Sequence, residues 1–280
     1  MPKIPLSEGR HLFGNDQLAY ANGRPDYPEE LYQRLRTRCE LGPGVSAFEI
    51  GAGTGLATQR LLALGVSRLW AIEPDPRLAD FLRKTISSSS LQIVQTTFEQ
   101  AELPTAEFGL GVAATSFHWL DQGSALAKVY RSLGAGGWWA MWWTHFGSFQ
   151  SDAFQLATDH LFVGTSDSPA TGVDQKLPFG LDQTSRVRDL SLSGFCDVEV
   201  EFWHLTLNYS TARLVALYST FSPVQALEPE ARQAFLIDLA RIVDEQFGGS
   251  VERPFITALY TARKPLPTMK TVQNLGSLAC

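Results

Sequence analysis

Three cysteines in 280 residues, Cys39, Cys196 and Cys280, stand far apart and form no Cys-x-x-Cys pair. That scarcity gives no ground for a disulfide framework or a zinc site, so no metal is expected and a reducing cytoplasm is the simplest home. Basic charge is also scarce: 23 Lys and Arg against 29 Asp and Glu leave a net charge of −6. A chain without a broad positive field is poorly suited to hold a phosphate backbone, which argues against nucleic acid as a partner. Long apolar runs are missing as well. Nothing approaches the roughly 18 residues needed to cross a bilayer, and Met1-Pro2-Lys3-Ile4-Pro5 opens no apolar leader segment, so neither membrane nor export is expected. What is present is 44% apolar residues, enough for a packed core in one large domain or two small ones.

Those apolar residues switch period along the chain. Short β-branched or apolar runs at 45–50, 68–72, 91–95, 108–114 and 137–143 alternate with helical patterns at 54–64, 76–86 and 123–133. This is the pattern of βαβ units and a parallel sheet. Gly134-Ala135-Gly136-Gly137 reads as the stop between the last helix and the fifth strand. From 146 to 185 the pattern degrades into Gly, Ser, Pro and Asp around one helix at 152–162, as expected of an inserted cap. A strand at 198–207, a helix at 228–247 and a last strand at 255–262 follow. The tail beyond 265 reads as flexible.

The chemistry concentrates after the first strand. Gly51-Ala52-Gly53-Thr54-Gly55 places three glycines between a buried strand and a helix, where a ligand can approach the backbone. A dinucleotide fingerprint, G-x-G-x-x-G, needs glycine at position 56, which is Leu56. Glu73, at the end of the second strand, stands where a carboxylate can accept both hydroxyls of a ribose. The bland alternative is a tight turn with no ligand, and the correctly placed Glu73 counts against it.

These residues resemble the class I S-adenosylmethionine-dependent methyltransferases, in the small-molecule branch that includes trans-aconitate-type carboxyl methyltransferases. Glu49-Ile50-Gly51-Ala52-Gly53-Thr54-Gly55 is similar to the first family motif, Ala71-Ile72-Glu73-Pro74-Asp75 to the second, and Thr97-Phe98-Glu99 to the segment bordering adenine. Ala114-Thr115-Ser116-Phe117-His118-Trp119-Leu120-Asp121 is similar to the motif ending the fourth strand, and 13–28 to the lid preceding the fold. The resemblance implies an α/β, Rossmann-like fold: a seven-stranded, mostly parallel sheet with one antiparallel strand, helices on both faces and a small helical cap. It implies S-adenosylmethionine as cofactor and S-adenosylhomocysteine as product. Gly51, Ala52, Gly53 and Gly55 would then line the methionine portion, with Glu49 beside them. Glu73 would take the ribose, Phe98 and Glu99 the adenine, and Thr115 the inner wall, with Pro74, Ser116 and His118 as further cofactor contacts. Tyr20 and Arg24 would close over the methionine end. The chain would divide into a lid (1–40), a cofactor-binding core (41–145), a cap (146–185), the rest of the core (186–265) and a tail (266–280).

Methyl transfer is a direct displacement in which positioning can suffice, although a protonated acceptor benefits from a base. His118 and His145, both after strands, are the candidates for that base; the plainer reading of His118 is a packing residue of its loop. Phe13, Tyr27, Trp119, Trp142 and Trp143 are candidates for the substrate wall. Trp138, Trp139, Trp142 and Trp143 should split as pairs between the two sheet faces, with most of them in the core. Arg24 suits either the cofactor's carboxylate or an acidic substrate. The expected function is methyl transfer to an oxygen or nitrogen of a small metabolite, by a monomer or homodimer. A non-methylating cofactor-binding protein and a nicotinamide oxidoreductase are the alternatives.

Overall fold

The computed structural model describes residues 3–15, 23–147, 152–171 and 177–267. Tyr20, expected over the cofactor, lies outside them, as does the tail from 268 onward.

Seven strands form one sheet in the order β3-β2-β1-β4-β5-β7-β6. They are β1 (Ser46–Ile50), β2 (Arg68–Ile72), β3 (Leu91–Val94), β4 (Phe108–Ala114), β5 (Leu133–Phe146), β6 (Cys196–Ser210) and β7 (Ser250–Arg263). The pairs among β1 to β5 are parallel, and β7 runs antiparallel to both β5 and β6. This is the seven-stranded, mostly parallel sheet with one antiparallel strand that the resemblance implies. The chain order reverses between β1 and β4, and in open α/β sheets a ligand crevice forms at such a point, beyond the strands' carboxyl ends.

The helices begin where their caps put them. A one-turn helix, α1 (Leu6–Gly9), and α2 (Glu29–Arg38) precede the sheet. The helix α3 (Leu56–Ala63) starts from Gly55 at φ 88°. In α4 (Pro76–Thr85) the Asp75 carboxylate accepts from Arg77 N–H, with proline in the first turn. Asp121 caps α5 (Gln122–Ser132) in the same way. The glycine run after α5 corrects the reading of a simple stop. The helix ends at Ser132, and the run is taken into β5 as an irregularity between the pairs Phe108↔Leu133 and Leu110↔Trp138.

Period-two alternation along β5 gives the sheet two cores. Trp138, Ala140 and Trp142 pack with Leu31, Tyr32 and Leu35 of α2 on one face, while Trp139, Met141 and Trp143 pack with Phe48, Phe108 and Tyr260 on the other. A third cluster joins α6 (Ala153–Thr158) to α8 (Thr211–Tyr218), α9 (Ser222–Gln225) and α10 (Pro229–Phe247) through Phe154, Leu214, Tyr218, Val224, Phe235 and Leu239. Between them, α7 (Gln183–Leu192) lies against β6. The helix expected at 152–162 is α6 followed by a 3-10 turn, Asp159–Phe162. The helical cap thus stands over the carboxyl ends of β5 and β6.

Candidate active site

Gly51, Gly53 and Gly55 all have positive φ, at 70°, 60° and 88°. At Gly51 the requirement is also spatial, since a Cβ there would come within 2.6 Å of Ser116 Cβ. The Ser116 hydroxyl donates to Ile50 O, tying this loop to the one after β4. Glu73 sits under the turn. One carboxylate oxygen accepts from Gly53 N–H at 2.8 Å and the other from Asp75 N–H at 2.9 Å. Burial pushes the Glu73 carboxyl up to about 7, against the downward pull of those two backbone donors.

Three expected cofactor contacts are corrected. Strand alternation sends Glu49 to the α3 face, where it accepts from Thr58 Oγ1–H at 2.6 Å, fully buried and away from the cavity. Ala52 is packed against Ala71 and Leu82. A Cβ on Gly55 would meet Ile86 Cδ1 at 2.5 Å, so this glycine seats the start of α3 against α4 and the residue after it. These residues shape the loop from beneath.

The loop opens into a cavity of about 470 Å³. Its cofactor-like end is lined by Gly51, Gly53, Glu73, Pro74, Leu78, Phe98, Thr115, Ser116 and Leu120. Glu99, expected at the adenine, does not line it. Arg10 holds that carboxylate bidentately, at 3.0 and 2.7 Å, and also donates to Trp119 O at 2.8 Å. The pairing spans 89 residues, and nothing local in the sequence announces it. Phe13 and Trp119 do line the cavity, edge to face at 6.1 Å. The arm is tied down a second time where Arg77 Nη2 donates to His11 O at 2.5 Å.

Thr115 is a β-branched residue at φ 54°, a costly conformation that must be held by its neighbours. Its N–H donates to Trp142 O at 2.8 Å, and its hydroxyl bonds the Tyr27 hydroxyl at 3.0 Å. Tyr27 and Trp142 are therefore corrected from substrate wall to support. Their rings meet edge to face at 5.6 Å, behind Thr115 and outside the cavity lining. Trp143 is likewise a core residue, and its indole Nε1–H donates to His118 Nδ1 at 3.0 Å.

That bond decides what His118 can do. An indole N–H only donates, so Nδ1 must be the unprotonated nitrogen and the proton of the neutral ring sits on Nε2. Burial, helped by the nearby Arg24 charge, pushes the His118 pKa down to about 3. His118 lines the cavity, but the base role expected of it is corrected, because its basic lone pair already holds the indole. His145 also lines the cavity, and burial lowers its pKa.

The far end of the cavity comes from elements whose contribution no motif revealed. Thr144 and Phe146 extend from β5, Gln155 and Thr158 from α6, and Tyr218 and Phe221 from α8 and the turn before α9. Residues 165–168 and Thr171 add a wall rich in hydroxyls and carboxylate. Arg24 lies over Phe146 and Phe221, at 5.6 and 5.8 Å to the ring centres, and donates to Thr220 Oγ1 at 3.0 Å. Arg253, 3% exposed, pairs with Asp152 at 2.7 Å and helps to close this end.

Comparison with known proteins fits this geometry. Residues 48–141 match a methyltransferase domain. An uncharacterized methyltransferase of Mycobacterium tuberculosis is 30% identical over 131 residues, 47% of this chain and 51% of the relative. An uncharacterized methyltransferase of Schizosaccharomyces pombe is 26% identical over 131 residues, with the same two shares, 47% and 51%. The chain spans about half the length of these curated relatives. The matched segment holds the glycine loop, Glu73 and the whole loop after β4.

Among solved structures, a protein of Anaeromyxobacter dehalogenans described as a candidate type II methyltransferase superposes with a TM-score of 0.61 at 18% identity. The match covers 87% of this chain and 99% of that one. A phosphoethanolamine N-methyltransferase of Haemonchus contortus, in complex with S-adenosylhomocysteine, superposes with a TM-score of 0.56 at 12% identity, covering 94% and 60% of the two chains. These likenesses establish the fold, an α/β Rossmann-like sheet with its flanking helices.

Proposed function

We propose that this chain transfers a methyl group from S-adenosylmethionine to a small-molecule acceptor held in the cavity. The observation that carries the reading is the buried Glu73 carboxylate at the base of a positive-φ glycine loop, opening into a cavity roofed by the cap. The residues present fit the cofactor: a Cβ on Gly53 would meet nothing within 4 Å, so the backbone there is open to a ligand, and Glu73 offers two acceptor oxygens to a ribose diol. Gly51 and Gly53 would hold the methionine portion, Glu73 the ribose, and Pro74, Phe98 and Leu120 the base. When bound, the cofactor supplies an electrophilic methyl group on a sulfonium sulfur.

This chain's own residues then position the acceptor and exclude water. The arm closes the cavity through Arg10 and Phe13, and the cap closes it through α6 and the following 3-10 turn. A roofed cavity favours a small acceptor over a polymer, and the carboxylate branch named by the resemblance is the acceptor class we favour. No helix among the described residues is long and apolar enough to cross a membrane.

Incubation with methyl-tritiated S-adenosylmethionine and a small-molecule metabolite extract tests the reading. Label is expected to pass into the low-molecular-weight organic fraction. A persistent blank, with the cofactor tightly bound, would overturn transfer and favour a non-methylating cofactor-binding protein.

A further inference from the structure

The ring of His118 is held on several sides. Trp143 Nε1–H donates to its Nδ1, Trp119 lies at 5.1 Å between ring centres, and Phe179 lies at 6.1 Å. The side chain is buried yet lines the cavity. A ring fixed in this way presents an N–H donor to whatever acceptor binds there.

Resting on the reading above, methyl transfer to a carboxylate, we propose that His118 serves the acceptor as a hydrogen-bond donor through Nε2–H and that Trp143 is the positioning residue fixing this tautomer. A carboxylate suits such a donor, and an amine does not. A protonated amine has no lone pair and would set N–H against N–H. A neutral amine would place its single lone pair on His118 and have none left for the methyl group. A carboxylate has two oxygens, so one can accept from His118 while the other stays nucleophilic. In the transfer, the free oxygen supplies the pair for the new O–C bond and the pair of the broken C–S bond goes to sulfur. The negative charge of the acid and the positive charge of the sulfonium cancel, and no proton is released. A base is then unnecessary, which is consistent with a histidine whose basic nitrogen is occupied.

The test uses the full chain saturated with S-adenosylhomocysteine, with sodium benzoate as the carboxylate probe and benzylamine as a cationic probe of similar size. Long-range proton–nitrogen correlation of the histidine rings should show His118 as the Nε2–H tautomer. Benzoate should move its resonances and benzylamine should not. Trp143→Phe should give a mixture of both tautomers. His118→Gln, which keeps an N–H donor, should bind benzoate within about threefold of the parent, whereas His118→Ala should lose about tenfold or more. An Nδ1–H tautomer in the parent protein, an equal response to both probes, no response to benzoate, or equal losses in His118→Gln and His118→Ala would each overturn the proposal. Failure to bind S-adenosylhomocysteine at all would instead overturn the methyltransferase reading on which it rests.

Discussion

Replacing Glu73 with alanine is expected to weaken S-adenosylhomocysteine binding by about a hundredfold, the size expected when charge-assisted hydrogen bonds to two hydroxyls are lost together. The same change removes the acceptor from Gly53 N–H and Asp75 N–H, so the glycine loop loses its internal anchor as well as its ligand contact. Glu73→Gln should fall between the two, because one amide oxygen remains while the NH2 faces a backbone donor. The pH dependence follows from burial. With Glu73 pushed up to about 7 and ligand hydroxyls favouring the ionised carboxylate, affinity should rise between pH 6 and pH 8, by up to about tenfold. Calorimetric titrations at pH 6, 7 and 8 check both points. Unchanged affinity in Glu73→Ala, or a flat pH profile in the parent, would remove Glu73 from the ribose site.

Glu49→Gln is expected to stabilise the protein in mildly alkaline solution. Glu49 is fully buried with one oxygen on Thr58 and the other without a partner, and burial pushes its pKa up to about 8. The folded chain therefore binds a proton that the unfolded chain, at an ordinary carboxylate pKa near 4.5, gives up. Between those two values the unfolded state holds fewer protons, so stability falls as pH rises and the loss is complete above about 8. Glu73 adds a slope of the same sign up to about 7. A neutral glutamine that keeps an oxygen for Thr58 escapes the Glu49 part. The gain at pH 8.5 should be about 2 kcal/mol or more, a shift of several degrees in Tm, with little change at pH 5. Melting curves from pH 5 to 8.5 measure it. A variant with the parent's pH slope would show that Glu49 ionises without penalty.

The legible parts of this molecule are those whose information is local. The glycine loop and Glu73 are separated by a single βαβ unit, so spacing alone places one beneath the other. Alternation assigns Trp138 and Trp142 to one face and Trp139 and Trp143 to the other, as observed. The same alternation argues against Glu49 as a cofactor contact, since Phe48 and Glu49 must face opposite ways; the likeness of the motif hides this. What stays illegible is non-local. Arg10 meets Glu99 across 89 residues, and Arg24 meets Thr220 across 196. The cap's polar wall and the tautomer of His118 depend on which strands and helices become neighbours, and β5 and the loop after β4 reveal this only once they are side by side. The β5 strand itself extends to Phe146 because β7 pairs along its outer edge from Trp138, opposite Arg263, to Phe146, opposite Phe255.

The most direct test of the account is the choice of ligand at the glycine loop. Isothermal titration with S-adenosylmethionine, S-adenosylhomocysteine and NAD should show both sulfur compounds binding at one site per chain and NAD giving no heat. Binding of NAD with no response to either sulfur compound would contradict it.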